Sequence, residues 1–390
     1  MTRILRDKKV NNRKYSLVEE EIKKEIKKSN EQLNTLNYYI QILEDSKELL
    51  SNYLNDDKFS VEDVNNIENE DEKLIRAKNI YIDFDSYGYT KEYLNVGIEQ
   101  YNDFINYHFN VDFNGRTTND DIYDLNDTDY GDPNINNIKD SESHSTHVSG
   151  IIAGDRQNKS GNKGINNLAE IMVLRAVPNG DEYDKDVALA IRYAVDNGAK
   201  IINGSFGKYF SSNPEWVIDA IKYASDNDVL FIAGAGNDSK DLDPLSNDNY
   251  PNDQFFNKDE FSDTFIKVGA SSINLNENFT AYFSNYGKIN VDIFAPGVDI
   301  YSSMPNNKYK SQDGTSMSSP VVAGVASLIM SYFPKLSAKK VKEIILESGI
   351  EIDLKIGNLG NNKHFREYSK SGKLINAYNA LILASNSKRK

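Results

Sequence analysis

The chain has 390 residues, no cysteine and a formal charge of −14, from 59 acidic and 45 basic side chains. Such a length allows two or three domains at roughly 100–200 residues each. The acidity argues against nucleic acid and anionic membrane as partners. The lack of cysteine excludes disulfides, thiolate zinc sites and a cysteine nucleophile. No run of about 18 apolar residues is present, so no membrane span is expected. The start, Met1 to Lys9, is basic with no apolar stretch behind it, unlike a signal peptide.

Residues 15–54 read as one long helix, with Leu33, Leu36, Ile40, Leu43, Leu50 and Leu54 at a spacing of three to four and Lys47 as the interruption. A second helical pattern runs from Val61 through Val64 and Ile67 to Leu74, and a third uses Leu94, Ile98, Tyr101 and Ile105. Residues 1–110 therefore form a helical extension or insertion without catalytic residues. Residues 111–142 are loop-like and rich in Asp and Asn. Their oxygens suit calcium, but Tyr130 falls where an EF-hand loop needs an oxygen ligand, so a solvated turn is expected and no cofactor is required.

From residue 143 strands alternate with helices. Short continuous apolar runs at Ile171–Leu174, Ile201–Ile202, Val229–Ile232, Phe265–Val268 and Val291–Phe294 suit parallel strands buried on both faces. Helices are expected at Asp184–Asn197, stopped by Gly198, at a segment opened by Asn213-Pro214, and at 338–348. The fold class is α/β, with a doubly wound, mostly parallel sheet over 111–385, and sites in such sheets lie at the carboxyl ends of the strands.

Four segments carry chemistry. Asp313-Gly314-Thr315-Ser316-Met317-Ser318-Ser319-Pro320 turns into an all-apolar, hence buried, helix. Ser316 stands at its positive, amide-rich end, with Pro320 expected in the first turn. His144 opens a short helix ending at Gly154, and His147 reads as a packed structural residue. Ser205-Phe206-Gly207 and Gly234-Ala235-Gly236 end strands in small residues that let an extended peptide approach, with Phe206 and the glycines allowing an apolar pocket. Asn237 follows, with an amide able to donate to an oxyanion.

Together these segments resemble the subtilisin-like serine protease family. Its histidine box, His-Gly-Thr-His-Val-Ala-Gly, appears as His144 to Gly150 with Ser145 and Ser149 substituted. Its serine box, Gly-Thr-Ser-Met-Ala-x-Pro, appears as Gly314 to Pro320 with Ser318 for alanine. The branch most similar is exported and bacterial, with a long helical insertion before the histidine box. The resemblance implies peptide-bond hydrolysis through an acyl-enzyme: Ser316 as nucleophile, His144 as general base and Asn237 as oxyanion donor. It also implies a protein or peptide substrate lying on Ser205, Phe206, Gly207, Gly234, Ala235 and Gly236.

The resemblance further implies an aspartate at the end of a strand ahead of the helical insertion, lying in the sheet between Met172–Leu174 and Ile201–Asn203. No such stretch is found; the nearest imitation is Ile80 to Phe84 followed by Asp85. Without that strand, two apolar strands would face each other unpaired. The favoured reading is that Met1 lies inside a larger protease. The others are a separate amino-terminal complementing segment, and a degenerate relative in which Ile80–Phe84 fills the gap. The alternative function is that of a catalytically impaired relative that binds peptides without cleaving them.

Overall fold

A computed structural model describes residues 12–387, apart from 70, 137–141, 178–179, 181, 248, 255–258, 358 and 360–361. The basic start, Met1 to Lys9, lies outside the described residues. Packing divides the chain into two units, Met1–Arg116 with Pro178–Asp181, and Thr117–Val177 with Glu182–Lys390.

The first unit is helical: α1 (Asn12–Leu54), α2 (Val61–Asn65), α3 (Glu72–Ser86) and α4 (Lys91–Asp103). Ser60 and Asp63 close a capping box on α2, Asp71 caps α3 and Thr90 caps α4, each giving an orphan amide an acceptor. Leu50 of α1 packs with Val64, Ile67, Leu74 and Ala77, flanked by Tyr81 and Ile82. The helical spacing of Leu74, Ala77, Tyr81 and Ile82 explains why Ile80–Phe84 is not a strand. These residues and Asp85 lie on α3, so the gap-filling reading is overturned.

The second unit is built on a six-stranded sheet. Four parallel strands, β1 (Ile201–Gly204), β2 (Leu230–Gly234), β3 (Phe265–Ser271) and β4 (Ile293–Pro296), lie side by side in that order. After β4 come two short strands from the carboxyl-terminal region, Lys373–Leu374 parallel to it and then Ile350–Glu351 antiparallel. One face carries α6 (Asp184–Asp196) and α7 (Pro214–Asp226), whose Val187, Ile191, Val217 and Ile221 close over Phe231 and Phe265. The other face carries α8 (Thr315–Tyr332) and α9 (Ala338–Ser348), with Val322, Val325, Ile329 and Ile345 against Ile232, Ile266 and Val268. Both faces are covered, as expected for parallel strands with continuous apolar runs. The remaining helices here are α5 (His144–Ala153) and α10 (Ala377–Ser387).

One expected strand does not form. Ile171–Leu174 is irregular, with Ile171, Met172 and Leu174 exposed by 41%, 43% and 36%. Among the described residues β1 is an edge strand paired only with β2, and its first three residues are half-buried while β2 is buried throughout. A strand is held by its ladder and by cover on its faces. No described strand lies beside β1's outer edge to supply either for 171–174.

Candidate active site

The loop before α8 is set by Gly314, at φ 150° and ψ 156°, a region essentially reserved for glycine. It puts Thr315 and Ser316 in the first turn, where backbone amides have no helical acceptor. Asn237, just past the end of β2, answers one of them: its Oδ1 accepts from the Thr315 amide and the Thr315 hydroxyl, both at 2.9 Å. With the oxygen engaged twice, the Asn237 amide nitrogen lies on the Gly314 side, 3.5 Å from where a Cβ on that residue would stand. Thr315 Oγ1 in turn accepts from the Gly236 amide at 3.0 Å.

Asn285, fully buried, holds the Asn237 loop from behind. Its Nδ2 donates to Ala235 O at 2.8 Å, its backbone N to Gly236 O at 2.9 Å, and its Oδ1 accepts from the amides of Asp238 and Lys240. Nothing in the local sequence singles Asn285 out, because its role depends on a partner about fifty residues upstream.

Pro320 is the sixth residue of α8 rather than part of its first turn. A proline there cannot donate to the carbonyl four residues back, which is that of Ser316. The Ser205 hydroxyl takes the vacant place, donating to Ser316 O at 2.9 Å. Its lone pairs face Asn203 Nδ2 at 2.9 Å and Ser319 Oγ at 2.8 Å, which completes its bonding capacity. Ser318, the substitution within the serine box, is buried and donates to Ala295 O at 3.1 Å.

Helix α5 lies against α8, with Val148 and Ile151 packed on Met317. His147 is buried, with Nε2 at 3.0 Å from Lys310 O, so it ties α5 to the hairpin made of β5 (Ile300–Met304) and β6 (Lys308–Gln312), as its structural reading required. His144, at the opening of α5, has an exposed side, as does Ser145 beside it. The crowding around its ring, and then the charge of His147, lower its pKa below the ordinary 6.5. The Ser316 hydroxyl donates to Ser205 O at 3.3 Å rather than to His144. No carboxylate among the described residues bonds the His144 ring.

The strand ends expected to meet a peptide lie at the sheet's carboxyl rim, but Phe206 turns its ring into the core beside Phe231. Among the described residues no cluster of three or more His, Cys, Asp or Glu side chains could hold a metal. In the acidic loop, Asp121, Asp124 and Asp127 accept backbone amides.

Residues 44–370 match the profile of the Subtilase family. The chain is 35% identical over 234 residues to a cell wall-associated protease of Bacillus subtilis (strain 168), an alignment covering 60% of this chain and 24% of that protein. It is 37% identical over 212 residues to a thermophilic serine proteinase of Bacillus sp. (strain AK1), covering 54% and 46%. The chain thus spans less than half the length of either relative. A protease structure from Pseudoalteromonas arctica PAMC 21717 superposes with a TM-score of 0.51 at 24% identity, over 62% of this chain and 70% of that one, a likeness of fold.

Proposed function

Because the chain belongs to the subtilase family, we propose that it is the serine endopeptidase core of that family, acting on peptide bonds through Ser316. The observation that carries this reading is the Asn237 amide, turned toward the start of α8 by two bonds from Thr315. Ser316 Oγ forms a bond to the peptide carbonyl carbon while His144 takes its proton. The oxyanion is held by Asn237 Nδ2 and the Ser316 amide. His144 then protonates the amine as the C–N bond breaks, and water releases the acyl group by the same steps. A lowered pKa keeps His144 neutral near pH 7, the state a proton acceptor needs.

The third member of the triad is a carboxylate on a further strand, seated between β1 and the 171–174 segment. In support, β1 has one described neighbour and the 171–174 side chains are exposed. The strand could precede this sequence in a longer polypeptide or come as a separate piece. Reaction of Ser316 with a fluorophosphonate, abolished in Ser316→Ala, is the direct test.

A second reading, a peptide-binding relative with impaired catalysis, is favoured by the Ser316 hydroxyl bonding Ser205 O and by a His144 ring that no described residue bonds. It expects peptide binding without labelling, even when the strand is supplied.

A further inference from the structure

We propose that Tyr209 is a positioning residue for the oxyanion donor: its phenol joins the segment leaving β1, whose Ser205 holds the Ser316 carbonyl, to the loop that carries Asn237. The proposal rests on the hydrolase reading of Ser316.

The direction of the phenol bond follows from its neighbours. Asn285 Nδ2 has two N–H groups; one goes to Ala235 O and the other to the Tyr209 oxygen at 2.8 Å. The phenol therefore accepts from Asn285 and keeps its single proton to give elsewhere. It gives it to Asp238 Oδ2 at 2.6 Å, a carboxylate that can only accept. Lys240 Nζ stands 3.8 Å from the centre of the Tyr209 ring and holds it by its face. The backbone ahead of the ring is fixed as well. Lys208 exchanges two backbone bonds with Tyr250 at 2.8 and 2.9 Å, and its Nζ lies 2.9 Å from Asp184.

Asp238 is the residue after Asn237. Both are exposed, on a turn flanked by Gly236 at φ 101° and Ser239 at φ 56°. With the Tyr209–Asp238 bond in place, a closed circuit surrounds the site. It runs from Ser205 to Ser316 O, through Thr315 to Asn237, on to Asp238, across to Tyr209 and back along the chain to Ser205. Opened at Tyr209, the circuit leaves Asn237 held to α8 by Thr315 while its other flank can swing. An oxyanion donor contributes most when it needs no rearrangement as charge develops, so the closed circuit favours turnover rather than substrate binding.

The test uses the full chain with the aspartate-bearing strand supplied. Tyr209→Phe removes the hydroxyl and keeps the ring under Lys240. Its kcat on a peptide substrate is expected to fall about fivefold, the size of one charge-assisted bond near the surface, with KM unchanged. Asp238→Ala breaks the same bond from its other end, so the double variant should be no slower than either single one. Asp238→Asn keeps an oxygen for the phenol and is expected to retain the parent's kcat. A parental kcat in Tyr209→Phe, kcat and KM changed together, or additive losses in the double variant overturns the proposal. If Tyr209→Phe does not fold, Asp238→Ala decides.

Hydrogen exchange at the Asp238 amide needs no catalysis and is expected to quicken about fivefold in Tyr209→Phe. If the parent chain neither cuts peptide nor reacts with a fluorophosphonate, the hydrolase reading is lost and exchange decides the link alone. Faster exchange then upholds it, and an unchanged rate overturns it. A parent that labels while Tyr209→Phe keeps its full kcat loses only the positioning role.

Discussion

Ser205 and Ser316 clasp each other: the Ser205 hydroxyl donates to the Ser316 carbonyl at 2.9 Å, and the Ser316 hydroxyl donates to the Ser205 carbonyl at 3.3 Å. The clasp exists because Pro320 withholds the amide that would otherwise bind Ser316 O. It joins the end of β1 to the start of α8, so a displacement of β1 reaches the Ser316 hydroxyl.

Ser205→Ala should leave the Ser316 carbonyl without a partner in a partly buried place. The expected loss is about 1–2 kcal/mol, read as a lower Tm, together with slower fluorophosphonate labelling. Unchanged labelling would show that the clasp does not position the serine.

Thr315→Val removes the hydroxyl that bridges Asn237 Oδ1 and the Gly236 amide, while keeping the shape of the side chain. Peptide turnover, assayed with the aspartate-bearing strand supplied, should fall more steeply than stability. Asn237→Ala should cost about 10²–10³ in turnover, a figure carried over from the same donor in subtilisin itself. A fall in Tm without a fall in turnover for Thr315→Val would reduce that residue to a structural one.

Asn285→Ala strips three bonds from the loop around Asn237 and one to the Tyr209 hydroxyl. Its backbone bond to Gly236 O remains. Hydrogen exchange at the amides of Asp238 and Lys240 should accelerate by at least tenfold, with labelling reduced in parallel. Protection equal to that of the parent chain would contradict the role given to Asn285.

The serine and histidine boxes open α8 and α5 and Asn237 stands just past β2, places that local strings of sequence mark out. The presence of the four parallel strands, though not their order in the sheet, followed from short apolar runs bounded by glycine and helix caps. The Ile171–Leu174 run has the same composition, but composition cannot report whether a partner ladder exists, and here it stays exposed. Pro320 was placed one turn too early, so the opening at the Ser316 carbonyl was not foreseen. Asn285, Thr315 and Lys267 gain meaning only from residues far away in the chain.

A buried charge cluster supplies a pH prediction. Burial, and then the charge of Asp292, lift Asp253 from the ordinary 3.8 to about 7, whereas burial lowers Lys267 from 10.5 to about 7. Lys342 lies within 4.0 Å of Asp253, and Lys370 within 3.6 Å of Asp292. Between about pH 4 and 7 the folded state keeps a proton on Asp253 that the unfolded chain has lost, so stability falls as pH rises. Between about 7 and 10 the unfolded chain holds a proton that Lys267 has shed, so stability rises. These groups put a minimum near pH 7. Asp253→Asn should flatten the acid limb in thermal melts from pH 4.5 to 9, and an unaltered limb would remove Asp253 from the account.

The account turns on whether Ser316 becomes a nucleophile when a carboxylate reaches its histidine. The decisive measurement is mass-spectrometric mapping of fluorophosphonate adducts, with and without a synthetic strand of alternating valine and threonine ending in Asp-Ser-Gly. The account predicts an adduct on Ser316 that grows several-fold with the strand and vanishes in Ser316→Ala. An unlabelled Ser316 in the presence of bound strand would contradict it.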